Sequence, residues 1–262
     1  MKIVVCIKQV PATNEAKIDP ETKRILREDV KAILNPFDHY AIEEAIRLRN
    51  KFGGEVIALS MGPDKAVRVL REAISMGADH AVLLNDRAFG GSDTWATSYA
   101  LAKAIKKIGQ VDLVLCGKQA IDGDTAQVGP GIAAHLNWMQ ATYVMEINIL
   151  SPHQMRVKRM NEMGYDICLL ETPAVLSVVK GINTPRVPTL KGRIASDRYE
   201  VPVWTPADLD ANIDNLGLNG SPTRVVKTQP PAPRENITKI IEGAPQICAQ
   251  SLINELRLRN LL

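Results

Sequence analysis

The sequence is short of aromatic residues: Phe, Trp and Tyr fill 4% of 262 positions. A core of this size must be built from Val, Ile, Leu and Ala, within an ordinary hydrophobic share of 45%. A strong charge of either sign is lacking too. The formal net charge is +3 and no Lys/Arg-rich run occurs, so the electrostatic footprint of a nucleic-acid binder is missing. No apolar run approaches the roughly 20 residues of a membrane-spanning helix. The opening "MKIVVCIKQV" is too short for a signal peptide, and no cleavage site follows it. A soluble, cytoplasmic protein is expected. Cysteine is sparse: Cys6, Cys116, Cys168 and Cys248 form no C-x-x-C pair, which removes the usual zinc and iron–sulfur spacings. Three of them stand in apolar runs and read as buried free thiols. His39, His80, His135 and His153 share no metal-ligand spacing. The Walker loop, the dinucleotide glycine fingerprint and the nucleophile elbow are all absent. No nucleophile–base pair or carboxylate pair stands out. These absences describe a binding protein without catalytic side chains of its own.

What is present begins with an alternation of strand and helix. "KIVVCIKQV", "EVIALSMGP", "HAVLLND" and "VDLVLCG" are continuous apolar runs. Between them, the stretches 36–53, 64–79 and 92–109 carry helical apolar spacing. Asp38 is a candidate N-cap for the first helix, and Ser92 or Asp93 for the third; residues 125–137 supply the next helix. Continuous rather than alternating apolar strands mean a parallel sheet covered on both faces, an α/β fold. Residues 12–34 read as polar and irregular. Over 142–180 shorter strands follow one another with little helix between, which predicts a mixed sheet or a hairpin addition. From about residue 183 prolines accumulate, among them Pro185, Pro188, Pro202, Pro206 and Pro222. Such a stretch cannot form a sheet interior and reads as an extended arm. The arm closes with the amphipathic helix "APQICAQSLINELRLRNLL". Two regions are therefore expected: a nucleotide-binding α/β domain over 1–193, and a C-terminal arm and helix over 194–262 that pack on a partner.

The most polar strand end is "GKQAIDGDTAQVGPG", residues 117–131. In an open parallel sheet ligands sit beyond the carboxyl ends of the strands. Glycines there let backbone approach a ligand closely. The helix expected beyond Asp124 would offer free N–H groups around Thr125 to Val128 to a phosphate. Asp122 and Asp124 are suited to ribose hydroxyls, and Gln119 and Gln127 to an adenine edge or a flavin. The competing reading is a solvated loop whose aspartates cap the helix.

Four blocks occur in order: "NPFDHYAIEEAIRL", "ALSMGPDKAVRVLREAISMGAD", "DLVLCGKQAIDGDTAQVGP" and "PAVLSVVKGINTPRVPTLKGR". Together they closely resemble the β subunit of electron-transfer flavoproteins, from Lys2 to about Arg193. The resemblance implies a nucleotide-binding α/β fold and a heterodimer with an α subunit that carries FAD. It implies AMP in the β subunit of most members and a second FAD in electron-bifurcating ones. Carried over by motif, the nucleotide contacts fall at Cys6, at Asn35, Pro36, Phe37 and Asp38, at Met61, and along Gly117, Lys118, Gln119, Ala120, Ile121, Asp122, Gly123, Asp124, Thr125, Ala126, Gln127 and Val128. Leu190 occupies the position of the family's partner-docking leucine. The lysine-rich run that follows it in many members is reduced here to Lys191 and Arg193.

The resemblance further implies electron transfer between NADH or an acyl-CoA dehydrogenase-type flavoenzyme and a low-potential carrier, such as ferredoxin or flavodoxin, or a quinone-linked acceptor. FAD is expected in preference to AMP. Gly164-Tyr165 stands where AMP-type members carry a glycine pair, Gly123 stands where many of them carry an aspartate, and "KRMNEMGY" looks like the bifurcating branch. Lys158 or Arg159 would supply positive charge to a flavin if their strand faced the ring. The alternative is a stand-alone ATP- or AMP-binding regulatory protein of the same fold.

Overall fold

The computed structural model describes residues 1–12, 32–226 and 238–262. Two compact units are present, Met1–Arg224 and Val225–Leu262. The first unit begins with strand β1 (Lys2–Cys6), a short hairpin of β2 (Gln9–Pro11) with β3 (Ala32–Leu34), and helix α1 (Pro36–Phe52). Strand β4 (Glu55–Met61), helix α2 (Val67–Met76), strand β5 (His80–Leu84), helix α3 (Thr94–Ile108) and strand β6 (Leu113–Gly117) continue the alternation. Helix α4 (Val128–Leu136) then leads into β7 (Met139–Ser151), β8 (Gln154–Asn161), β9 (Gly164–Glu171) and β10 (Ala174–Val178). Helix α5 (Leu190–Arg198), strand β11 (Val203–Trp204) and the single turn α6 (Gly217–Gly220) complete it.

One sheet of nine strands runs in the order β11-β5-β4-β1-β6-β10-β7-β8-β9. Pairing is parallel from β11 to β7 and antiparallel across β7-β8-β9. The mainly parallel α/β sheet and the hairpin addition over 142–180 are as the apolar runs predict. Ile3, Val5, Val56 and Ala58 point to the face under α1 and α2. Val4, Ile57, Leu59 and Val114 point to the face under α3 and α4. Every central strand is thus buried on both sides, which is why its apolar residues do not alternate with polar ones. From β1 the chain steps through β4 to β5 on one side, then returns through β6 to the other. That reversal opens a crevice at the carboxyl ends of β1 and β6.

Three expectations change. The first unit runs to Arg224, past the expected boundary at residue 193. Proline bars a sheet interior, but β11 is a two-residue edge strand that follows Pro202, and the Pro202 carbonyl accepts from Leu83 N–H at 2.9 Å. Asp38 is not an N-cap: Asn35 precedes the helix and Asp38 lies buried in its first turn. Helix α4 starts at Val128, later than expected. Asp124 and Ala126 have φ of 50° and 54°, a left-handed backbone that helical chain cannot contain. Of the segment 12–34 that reads as irregular, residues 13–31 lie outside the described residues.

The second unit carries helix α7 (Pro245–Leu258), where the terminal amphipathic pattern predicts a helix. None of its residues is buried, and Ile247, Leu252, Ile253 and Leu258 are exposed.

Candidate functional site

The loops after β1, β4, β5 and β6 border a cleft of about 640 Å³ at the crevice between β1 and β6. That volume suits a small-molecule ligand. Asn35, 1% exposed, joins its walls. Its Nδ2 donates to Asp38 Oδ1 at 2.8 Å and to the Gln119 carbonyl at 2.9 Å, and its Oδ1 accepts from Ile121 N–H at 3.2 Å. One amide side chain thus ties the head of α1 to the long loop after β6.

Asp38 adds the third segment. Its Oδ2 accepts from the Lys8 backbone N–H at 2.7 Å, and the Gly117 N–H also reaches the carboxylate. Burial drives this carboxyl up, the donors from Asn35, Lys8 and Gly117 oppose it, and the pKa stands at about 7. Only glycine fits at 117: a Cβ there would lie 2.3 Å from Asp38 Oδ1. Cys6 and Cys116 are in register on neighbouring strands. The hydrogen bond with Cys116, and then burial, push the Cys6 thiol well above its usual range, so Cys6 stays a neutral thiol.

The loop supplies donors from its backbone. Among the described residues, no acceptor is present for the N–H groups of Thr125, Ala126, Gln127 and Val128. Gln127 precedes α4 with no side-chain bond to the helix's N–H groups; its Oε1 accepts instead from Thr94 Oγ1 at 2.9 Å. Ala126 is left-handed, and Gln127 follows with φ −100° and ψ −20°. Alternation of hand turns successive N–H groups to one side and makes a concavity for an anion. The start of α4 adds its partial positive charge. Donors without an acceptor among the described residues, on a loop that lines the cleft beside amide side chains, suit a nucleotide phosphate and its base.

Most of the expected contact positions come together here. Cys6, Asn35, Asp38 and Met61 line the cleft, as do Gly117, Lys118, Gln119 and Ala120. Gly123, Thr125, Ala126, Gln127 and Val128 continue the lining. Pro36, Phe37, Ile121, Asp122 and Asp124 lie outside it. Both aspartates are engaged: Asp122 accepts from Lys8 Nζ at 2.8 Å, and Asp124 from Gln119 Nε2 at 2.6 Å. Neither caps a helix. Lys158 and Arg159 also lie outside the lining. Lys158 Nζ sits 3.7 Å from the Tyr165 ring centroid, and Arg159 bonds Asp166 and Thr142. Leu190 is exposed on α5 and belongs to another surface.

Sequence reading misses one whole wall, the stretch from Asn85 to Thr94 after β5. Arg87 brings to it a guanidinium without an ion-pair partner among the described residues. The signal was the Gly90-Gly91 pair ahead of a cap at Asp93, whose carboxylate accepts from Trp95 and Ala96 N–H at 3.0 and 3.1 Å. The wall is supported from far along the chain. Ser221 Oγ accepts from Asp93 N–H at 2.8 Å, and Thr223 donates to Asp93 Oδ2 through its N–H and its hydroxyl.

Comparison with known proteins agrees with this geometry. Residues 22–209 match the family described as "Electron transfer flavoprotein domain". The electron transfer flavoprotein subunit beta of Thermoanaerobacterium thermosaccharolyticum is 49% identical, over 100% of both chains. Subunit CarD of the caffeyl-CoA reductase-Etf complex of Acetobacterium woodii is 45% identical, again over 100% of both. Protein FixA of Azorhizobium caulinodans is 43% identical, over 98% of this chain and 94% of its own. With near-complete coverage at such identity, this chain belongs to the electron-transfer flavoprotein β-subunit family.

Proposed function

We propose that this chain is the β subunit of a heterodimeric, cytoplasmic electron-transfer flavoprotein whose cleft holds FAD, with AMP as the alternative occupant. The observation that carries the reading is the set of unpartnered N–H groups from Thr125 to Val128, at the mouth of a cleft on the sheet's switch point. Those groups hold the phosphates. Asn35 keeps the loop closed on α1, and Gln119 and Gln127 offer amide donors and acceptors to the base or flavin. Bound flavin supplies the one- and two-electron chemistry, and the protein binds and orients it.

FAD is favoured by the room and the charge. A Cβ at Gly123 would meet nothing within 4 Å, so packing does not require a glycine there. The cleft extends past the four family contact regions to Arg87, which joins Lys118 as a cation suited to a reduced flavin anion. The identity to a subunit of the caffeyl-CoA reductase-Etf complex and to proteins named FixA supports a role alongside other redox subunits. In this reading electrons pass between NADH or an acyl-CoA dehydrogenase-type flavoenzyme and ferredoxin, flavodoxin or a quinone-linked acceptor, with electron bifurcation as the mode. Leu190 anchors the dehydrogenase, and the α subunit covers α7. The test is stoichiometric: release the nucleotides from the purified heterodimer and count flavin per αβ pair. Two flavins, with reduction by NADH, support the proposal. One flavin and one AMP overturn the FAD assignment, and a colourless chain with no partner overturns the subunit role.

A further inference from the structure

Cys6 and Cys116 stand at the carboxyl ends of β1 and β6 and pair in register across these two parallel strands. Neighbouring strands lie about 4.8 Å apart, inside the Cα separation of about 4.4–6.8 Å that a disulfide spans. Both side chains point to the face under α3 and α4, and both are free thiols. A hydrogen bond joins the two thiols, so each sulfur is within reach of the other. Both residues line the cleft. The binding role needs a thiol at neither position. An apolar side chain would fill the floor as well, as Val4 and Val114 do two residues earlier on the same face.

The pair is tied to the loop over 117–128. Lys8, two residues after Cys6, donates its N–H to Asp38 Oδ2 at 2.7 Å, and Gly117, next to Cys116, donates its N–H to the same carboxylate. A Cβ on Gly129 would lie 3.8 Å from Cys116 Sγ, so the sulfur sits against the first turn of α4. A disulfide holds its Cβ atoms about 3.8 Å apart, so closing one here draws the two strand ends together by roughly 1 Å. That movement displaces the donors to Asp38 and the start of α4, the two supports of the loop.

We propose that Cys6 and Cys116 form a thiol–disulfide modification site in the floor of the cleft, oxidised by hydrogen peroxide when no nucleotide is bound and shielded when one is, and that the disulfide opposes nucleotide loading. This rests on the reading of the cleft as the nucleotide site. Cys6 keeps its proton, so Cys116 is the attacking sulfur. It breaks the peroxide O–O bond, becomes a sulfenic acid and releases one water. Cys6 Sγ then displaces the sulfenic hydroxyl, which leaves with the Cys6 proton as a second water. The two thiols lose two electrons in all, and the peroxide takes them up. A dithiol reductant reverses the change by exchange.

The experiment uses the purified heterodimer, either loaded with its nucleotides or stripped of them in potassium bromide. Only stripped protein that takes its nucleotides back before oxidation is used. Both forms are treated with excess hydrogen peroxide, alkylated and digested with trypsin, which leaves Cys6 in peptide 3–8 and Cys116 in peptide 108–118. In the stripped heterodimer the two peptides are joined and FAD affinity falls about tenfold, the worth of one charge-assisted hydrogen bond. Dithiothreitol restores both. In the loaded heterodimer no joined peptide forms. Cys168→Ser/Cys248→Ser responds as the wild type does, since neither residue lines the cleft. In Cys116→Ser, peroxide leaves FAD affinity at that variant's own untreated value. Absence of the joined peptide from the stripped heterodimer overturns the site and leaves both cysteines as small apolar packing. A joined peptide with unchanged FAD affinity, or a loss of affinity that persists in Cys116→Ser, overturns the effect on loading. Equal oxidation of loaded and stripped protein overturns the shielding. A loaded heterodimer that releases nothing beyond the α subunit's flavin removes the nucleotide reading and the shielding with it, while the joined peptide still decides the disulfide.

Discussion

Asp38 shows how much of the cleft depends on one carboxyl group. The apolar spacing around it marks a helix start and suggests a cap, which is a local role. The fold instead buries it between β1, α1 and the loop after β6, where three donors reach it. Its pKa in the folded state, about 7, lies above the ordinary value of 3.8. Between those values the native state holds more protons than the unfolded chain. Stability from this group is therefore full below about pH 4 and is lost as pH rises through about 7. Asp38→Asn removes that titration. In urea unfolding at pH 4.5, 6 and 7.5, the stability difference between wild type and Asp38→Asn should fall as pH rises, by up to about 1.4 kcal/mol per pH unit. A difference that is flat with pH, or grows, refutes the assignment.

Helix α3 illustrates the same division at the level of an element. Its cap at Asp93 is legible from "GGSDTW", because Asp before an apolar-periodic run accepts the helix's first N–H groups. Sequence does not reveal that Ser221 and Thr223 return to the same residue, because those contacts span 128 and 130 residues. Burial pushes the Asp93 carboxyl up. Hydrogen bonds from Ala96, Thr223 and Trp95 outweigh it and hold the pKa below its usual range. This stability is present above about pH 4 and is lost as pH falls through the lowered pKa. Asp93→Ala should cost about 0.5–2 kcal/mol at pH 7, and less at pH 3, by thermal unfolding of the heterodimer. An equal cost at both pH values would show that the charge is irrelevant. The long loop after β6 is the other lesson at this scale. Its polar composition marks it as a candidate ligand loop, yet its two aspartates are engaged by Lys8 and Gln119, while the N–H groups of Thr125 to Val128 have no acceptor among the described residues. Residue type alone does not separate those roles.

For the whole molecule, the proline-rich C-terminal third reads as an arm, and half of that reading changes. The chain up to Arg224 belongs to the first compact unit. The second unit ends in a helix with no buried residue, an amphipathic element without a core of its own. Deleting residues 234–262 should abolish co-purification with the α subunit. The helical circular-dichroism signal of the remainder should stay largely intact. A deletion variant that still forms a tight heterodimer removes the arm from the interface.

The sequence by itself determined the α/β class, the order of strands and helices from β1 to β6, the antiparallel addition and the family, because apolar periodicity and short-range motifs are local properties. It also located, at the carboxyl end of β6, the polar loop that lines the cleft. Tertiary structure decided which loops share a wall. The stretch from Asn85 to Thr94 joins the cleft only because β5 lies two strands from β1 in one sheet. It decided that Lys158 and Arg159 stay outside, since the pairing of β8 with β9 sets Arg159 opposite Asp166 and leaves Lys158 over the diagonal Tyr165 ring. It also placed Cys6 beside Cys116, more than a hundred residues away in sequence, by pairing β1 with β6. Each of these outcomes depends on long-range packing, whose geometry no local pattern encodes.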